Sequence, residues 1–495
     1  MPDVTLLIGS TILTAVEAAG VAGPAGFALS STTIAGVSAA TVVGTAAIIG
    51  VSIGLQYALN NPDVPKPENG AIPLKQAIPP RQRGYWINRL SGNYMLFLAA
   101  GNDSQDVIAF HSGRIESVIQ VYLHDQPVNT TPVITDGAAV SVIPPGGDQF
   151  DGVTLQVFFG SDTQSVYGII SSPVTSGIWT TDFHGRGIAA LCMVCPQTAD
   201  PTVFTQKYPQ RLPLPSVVAN CAPIWDPRDV AQTLAATASW KASDNPILQL
   251  IDYLTEPDGG MGEDRDIILP PAALAQLMVE ADLCDQIVGG VKRYTSAGWY
   301  QFDNAPENII NKILATCDGW LAESGDGSLV LTIGVYREPT DPPITAAHIL
   351  GYSVRYGGTD EEAINQLIVS YTNPALGYVT DQIDAVRDED AIALAGIVRS
   401  KPLDLPWVQI AAQAERLAER AMLRLNPAMS GTLITTLYGM RYLGKRWVKV
   451  QFPSVRGLED CVVEIQDRAQ VDLLAGRVTF NWTLVDTTAL AALDA

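Results

Sequence analysis

The stretch from Asp244 to Tyr336 leaves the chain the fewest choices, because prolines, glycines and asparagines mark where each element starts and stops. Asn245-Pro246 reads as a helix start. Asn is a good N-cap, and Pro suits the first helical position because it has no N–H to lose. Ile247, Leu250, Ile251 and Leu254 then recur on one helical face. The turn Glu256-Pro257-Asp258-Gly259-Gly260-Met261-Gly262 stops that helix. Pro271 opens a second helix, with Leu274, Leu277, Ala281 and Cys284 toward a core. Asn304 is expected to cap a third, with Glu307 at the capping-box position. Its apolar face is Ile309, Ile310, Ile313, Leu314 and Cys317, and Gly319 sits where a C-terminal cap belongs. Residues 320–323 and 329–333, joined across Ser324-Gly325-Asp326-Gly327, predict a β-hairpin.

The run NPILQLIDYLTEPDGGMG, the Cys284-Asp285-Gln286 triplet and the run APENIINKILATCDGWLAESGDGSLVLTIG follow one another in this order. Together they resemble the tip attachment (central hub) protein of long-tailed phages, the lambda protein J type of siphovirus tail tips. The resemblance continues into EEAINQLIVSYTNPALGY and RDEDAIALAGIVRSKPLDL, and spans roughly residues 215–430. No motif in it is catalytic, so order and spacing speak for a fold and only indirectly for a function. The resemblance implies a structural virion protein, a homotrimer closing the distal end of a tail tube. Its implied partners are a distal tail protein, the tape-measure protein and other tail-tip proteins. Its implied place is the virion tail tip, with tasks in tail assembly, host attachment and penetration, and DNA ejection.

Length and charge bound this reading. A chain of 495 residues holds three or four domains. A net charge of −21 argues against a surface that grips nucleic acid, because phosphate binding needs clustered Lys and Arg. DNA in transit along an acidic wall, sliding without sticking, fits that charge. The N-terminus lacks the basic region of a secretory signal, so synthesis in the host cytoplasm is the expectation. Many proteins of the resembled type continue into receptor-binding parts. With Ala495 the last residue, first contact with the host is expected to fall to another protein.

The expected fold class is α+β and multidomain. Mainly β-barrel or sandwich hub domains flank a helix-containing middle region, behind an apolar N-terminal helical segment. The expected divisions are 1–62 (apolar segment), 63–84 (Pro-rich linker), 85–215 (β-rich), 216–345 (α+β), 346–430 (strands plus a long amphipathic helix) and 431–495 (a small β-barrel). In the linker, Lys66, Lys75, Arg81 and Arg83 read as a solvated basic loop more readily than as a dock for an acidic neighbour. The long helix is expected over 407–425, with Ile410, Ala414, Leu417, Ala421 and Leu425 as its buried stripe. Arg416, Arg420 and Arg424 line one flank of it. Like charges four apart repel slightly, so they are candidates for subunit contacts; a solvated flank is the alternative.

One cluster looks chemical. His184, Cys192, Cys195 and Cys221 offer four N/S ligands, and Cys192 and Cys195 have C-x-x-C spacing. The run from 187 to 195 also reads as a buried strand, whose alternation would put the two thiols on opposite faces. Buried thiols are therefore the leading reading, and no metal or other cofactor is expected. The acidic residues Glu256, Asp258, Glu263, Asp264 and Asp266 lack the ligand order of a calcium loop and read as a solvated turn. No phosphate-binding loop, zinc-protease or serine-hydrolase motif is present, so an enzyme is not expected. The alternatives are a tail-tip-associated cell-wall hydrolase and a membrane-anchored binding protein.

From Ala18 to Pro62 the chain carries no charged residue. Residues 33–59 are long enough to span a bilayer, which takes about 20 apolar residues. Gly36, Ala40 and Gly44, then Gly50 and Gly54, repeat at the four-residue spacing that lets helices approach closely. Three readings stay open: a segment that inserts in the host membrane, a plug at the centre of an oligomer, and a resident anchor. The last is weakened by Glu17, Asp63 and Glu68, which give no basic flank. If the segment inserts, particles lacking residues 1–59 should assemble and adsorb but deliver no DNA. Failure to assemble would assign the segment to the plug instead.

Overall fold

A computed structural model describes residue 73 and residues 79–170, 178–324, 327–357, 363–466 and 469–494. The apolar segment with Gly36, Ala40, Gly44, Gly50 and Gly54, and most of the linker with Lys66 and Lys75, lie outside the described residues. The fold is mixed α+β, with two sheets curled into half-barrels.

The first sheet has nine strands, all paired antiparallel. Its order runs Ile87–Leu90, Pro215–Asn220, Ser117–Leu123, Gln126–Thr131, Ala139–Ile143, Thr154–Phe159, Ile188–Pro196, Asp103–Ser112 and Asn93–Ala100. Alternation builds it. In Ala139–Ile143, Val140 and Val142 turn inward and their neighbours outward. Ile188–Pro196 is covered on both faces: Ala189, Leu191, Met193 and Cys195 join one core, while Ala190 and Cys192 join a second with Val107, Phe158 and Tyr167. His111 is also interior, its ring nitrogens facing the carbonyls of Gly113 and Gly84 at 3.2 and 3.3 Å. Burial and the nearby Arg83 hold its pKa down to about 4, so the ring is neutral at physiological pH.

The middle of the chain folds around the Pro246–Thr255, Pro271–Asp285 and Pro306–Ala315 helices and the hairpin Trp320–Glu323/Leu329–Thr332. Asn245 caps the first helix by accepting the Ile247 N–H at 3.1 Å. That helix is buried all round, not on one stripe: Gln249 and Asp252 are as enclosed as Ile247 and Leu250. The Gln249 amide N–H groups donate to the Ser243 and Ser296 carbonyls, while its Oε1 is buried with no hydrogen-bond partner. The third helix departs from expectation at both ends. Ala305, not Asn304, is its N-cap and no side chain caps it, because Pro306 takes the first helical position and holds the preceding residue extended. Asn304 instead accepts the Gln301 N–H at 3.0 Å. At the other end the left-handed residue is Asp318 (φ 49°), and the Gly319 N–H closes onto the Leu314 carbonyl at 2.8 Å.

Gln366–Asn373 then pairs with Ser400–Leu405 in parallel and with Val379–Gln382 antiparallel. The Ala411–Leu425 helix packs over this strand. It starts four residues later than the sequence suggests. Trp407 lies in the preceding turn, over Gly298, where a Cβ would come within 2.1 Å of the indole. A seven-stranded sheet follows, with Arg477–Leu484 and Met429–Thr436 at its centre and Ile349–Tyr356 at one edge. The chain then turns into a helix, Thr487–Asp494, that the β pattern gave no sign of.

One backbone position is exacting. Gly92 turns the chain between Ile87–Leu90 and Asn93–Ala100 at φ +73°, and a Cβ there would sit 2.2 Å from the Ala109 carbonyl oxygen. Gly101 has a similar φ of +64° with nothing within 4 Å. Gly101→Ala is therefore expected to cost about 1 kcal/mol of left-handed strain. Gly92→Ala should cost roughly 2 kcal/mol more. Urea midpoints of the two variants, measured side by side, check the difference.

Candidate functional site

Two arginines of the Ala411–Leu425 helix, Arg420 and Arg424, meet Arg446 in a dense buried cluster of charge. Arg420 is fully buried. Its Nε donates to Asp318 Oδ2 at 3.0 Å, and its Nη1 to Asp494 Oδ1 at 2.7 Å. Arg424 grips the Asp318 carboxylate with both Nη atoms at 2.7 Å, and its Nε donates to Glu464 Oε2 at 3.0 Å. Arg446, fully buried behind the sheet, donates from Nε to Glu464 Oε1 at 2.7 Å. Its Nη2 meets both Asp318 carboxylate oxygens at 3.1 Å, and its Nη1 meets the Asp318 carbonyl at 2.7 Å. Three guanidiniums thus face three carboxylates, Asp318, Glu464 and Asp494. Gly334 makes room, because a Cβ there would lie 2.6 Å from the Asp318 side chain.

Each partner comes from a different part of the chain. Asp318 follows the Pro306–Ala315 helix, Glu464 lies on Cys461–Ile465, and Asp494 ends the last helix. Burial alone would raise the Asp318 pKa, but Arg424, Arg446 and Arg420 outweigh it and hold the carboxyl well below the usual range. Glu464 is lowered in the same way, against its burial, by Arg424 and Arg446. Arg424 therefore uses its donors inside the chain, and Arg420 uses its Nε and Nη1 there while its buried Nη2 has no hydrogen-bond partner. This corrects the expectation of a solvated or subunit-facing flank for these two: a four-residue spacing shows which face they share, not what covers it. Arg416 differs. It is only 9% exposed, no ion pair reaches it among the described residues, and its Nη1 has no hydrogen-bond partner.

The basic end of the linker is engaged as well. Arg81 makes a two-pronged contact with Asp258 at 2.9 and 2.6 Å. Arg83 is buried against Asp252 at 2.9 Å and lies 3.5 Å from Glu256. The solvated-loop reading is corrected for Arg83; Arg81 stays exposed and pairs with Asp258 at the surface. Gln82–Tyr85 pairs with Gly298–Gln301, and alternation along it carries Arg83 inward to the turn after the Pro246–Thr255 helix. In that turn Asp264 caps a short helix by accepting the Asp266 N–H.

His184, Cys192, Cys195 and Cys221 do not converge. Cys192 and Cys195 lie in separate cores, as strand alternation requires, and Cys221 donates weakly to the Ala219 carbonyl at 3.5 Å. Burial pushes the Cys221 thiol up to about 12 and raises those of Cys192 and Cys195 well beyond the ordinary value. All three therefore stay protonated. Among the described residues no group of three or more His, Cys, Asp or Glu side chains is placed to hold a metal, and no helix is long and apolar enough to cross a membrane.

No protein-family model and no curated protein matches the sequence. Solved structures do. A chain in the virion of a native gene transfer agent particle matches with a TM-score of 0.52 at 14% identity, over 88% of this chain and 93% of that one. The chain shares the fold of a virion protein. Two tail proteins match over similar lengths but with much lower scores. They are the 43 kDa protein of prophage MuSo2 from Shewanella oneidensis (TM-score 0.29, 13% identity, 83% and 96% covered) and that of Neisseria meningitidis MC58 (0.31, 11%, 82% and 95%). Scores that low carry no weight here.

Asp318, Arg446, Glu464 and Asp494 escaped the sequence reading because single charges spread over 177 positions leave no local pattern. Breaking such a cluster strands buried charge. Asp318→Asn is expected to lower stability at neutral pH by about 3–5 kcal/mol. Because the folded pKa is depressed, the contribution of Asp318 is complete above its unfolded value near 4 and is lost as pH falls below it. The variant should accordingly lose less stability than the parent on acidification below about pH 4. Urea unfolding at neutral pH and near pH 3 measures both effects.

Proposed function

We propose that this protein is a structural component of the tail of a phage or phage-derived particle, the trimeric hub at its distal end. One observation carries the reading: its fold runs through 93% of a chain of a gene transfer agent virion and takes up 88% of this chain. The hub position is supported by the motif order from Asn245 to Ile333, which resembles the lambda protein J type. In this role the protein works by packing. A distal tail protein ring and the tape-measure protein lie above it, other tip proteins lie beside it, and DNA passes through its centre. An acidic chain suits that passage, since phosphate meets little to hold it.

Nothing in this role calls for covalent chemistry. The interior carboxylates Asp318, Glu464 and Asp252 are all committed to guanidiniums, which suits a protein whose work is mechanical. The host membrane is a further partner if residues 1–62 insert.

Light scattering of the full-length chain and cryo-EM of purified particles test the proposal together. A trimer in solution, and three copies closing the end of the tail, are expected. A monomer that occurs in no particle would overturn it.

A further inference from the structure

One cavity lies apart from the buried charge network. It has a volume of about 290 Å3 and opens beside the turn after the Pro246–Thr255 helix. One wall is aromatic. Trp225 and Trp240 stand at the two ends of a single loop, with Leu234 between them. The other wall is polar and comes from Thr255, Glu256 and Glu263.

The loop is tied down at several points. Arg228 holds its base, binding Asp226 within the loop and Asp282 and Asp285 on the Pro271–Asp285 helix. Arg114 donates to the Thr237 carbonyl at 3.0 Å, and Lys241 pairs with Asp229 at 3.2 Å. The Trp240 indole N–H donates to the Thr233 carbonyl at 3.0 Å, which fixes the ring. The aromatic wall is therefore set before any ligand arrives, and little ordering cost remains to oppose binding.

The carboxylates of the cavity are not alike. Asp252 is taken by Arg83 and Tyr85. Glu256 accepts the Asp258 N–H and lies near Arg83. Glu263 has its backbone pinned to the Leu254 carbonyl at 2.9 Å. Among the described residues, no side chain or backbone group engages its carboxylate. Burial raises its pKa. A free, half-buried acceptor in a cleft with one aromatic wall is a mark of a ligand site.

We infer that this cavity binds a neutral saccharide, with a pyranose ring stacked on the Trp240 indole and hydroxyls donating to Glu263. The charge pattern selects this class. Arg265 already sits over the Trp225 ring at 5.6 Å, and Arg83 lies behind the floor, so a cationic ligand meets two guanidiniums. An anionic ligand meets Glu263, Glu256 and Asp252. A polyol avoids both costs. Its hydroxyls satisfy a carboxylate acceptor, and the C–H face of its ring covers the flat apolar surface that indoles present. The volume is at the small end for ligand pockets, which matches a mono- or disaccharide and not a long chain.

The inference does not depend on the virion reading, because binding is measured on the isolated full-length chain. Saturation-transfer NMR with the neutral disaccharides chitobiose and maltose, and with trilysine as the cationic comparison, provides the test. Transfer to the ring C–H protons of at least one sugar, and none to trilysine, is expected. Glu263→Gln should weaken that sugar about tenfold, the loss of one charge-assisted hydrogen bond. Trp240→Ala should abolish binding. Trp240→Phe keeps an aromatic ring in place should the alanine variant misfold, and is expected to retain weakened binding. Transfer from trilysine, silence from both sugars with the parent protein, or sugar binding unchanged by both Glu263→Gln and Trp240→Phe would each overturn the assignment.

Discussion

A single aspartate decides how the two halves of this molecule are held together. Asp318 is wholly buried, and its carboxylate is shared by Arg420, Arg424 and Arg446. Burying a lone carboxylate is prohibitive, and burying three arginines without it would be worse. The charges are therefore tolerated only as a set, and the set exists only when the long helix, the C-terminal sheet and the last helix are all in place. Such a network adds little net stability over a well-packed apolar core. What it does is penalise every near-native arrangement in which one element has slipped, because each slip leaves a buried ion unmatched.

The apolar cores fill in around that arrangement. The largest runs without a break from Ile247 and Leu314 in the middle region, through Leu367 and Leu403, to Leu417 and Ala421 on the long helix. The C-terminal sheet has its own core, centred on Leu433, Val450, Phe480 and Trp482. Arg446 and Glu464 stand between the two. The cavity between Trp225 and Trp240 sits on the outer side of the middle region, where its exposed loop does not disturb the packing behind it.

Much of the architecture was legible from one strand or helix at a time. The apolar run 187–195 and the prolines at 246 and 271 mark elements that the structure contains. The errors were local contests. At Asn304 the capping preference lost to the geometry of the Ala305-Pro306 pair, and at Gly319 the left-handed position went to the preceding aspartate. The N-terminal boundary of the long helix slipped to Ala411 because the Trp407 ring is needed over Gly298. None of these follows from propensity, because each depends on a neighbour distant in sequence.

By itself the sequence determined the type and order of the elements, the acidic character of the chain, and which residues are too apolar to face water. Those properties are written in periods of two and 3.6 residues and in proline and glycine punctuation, and they act within a few residues of each other. The tertiary structure alone decided which charges meet. Arg420 lies 102 residues from Asp318 and 74 from Asp494, and no spacing rule links positions that far apart. The same holds for Arg81 and Arg83, a basic loop by composition and a pair of buried or bidentate contacts in fact. Coulomb attraction in an apolar interior is strong and has no fixed sequence period, so its partners appear only when the backbone brings them together.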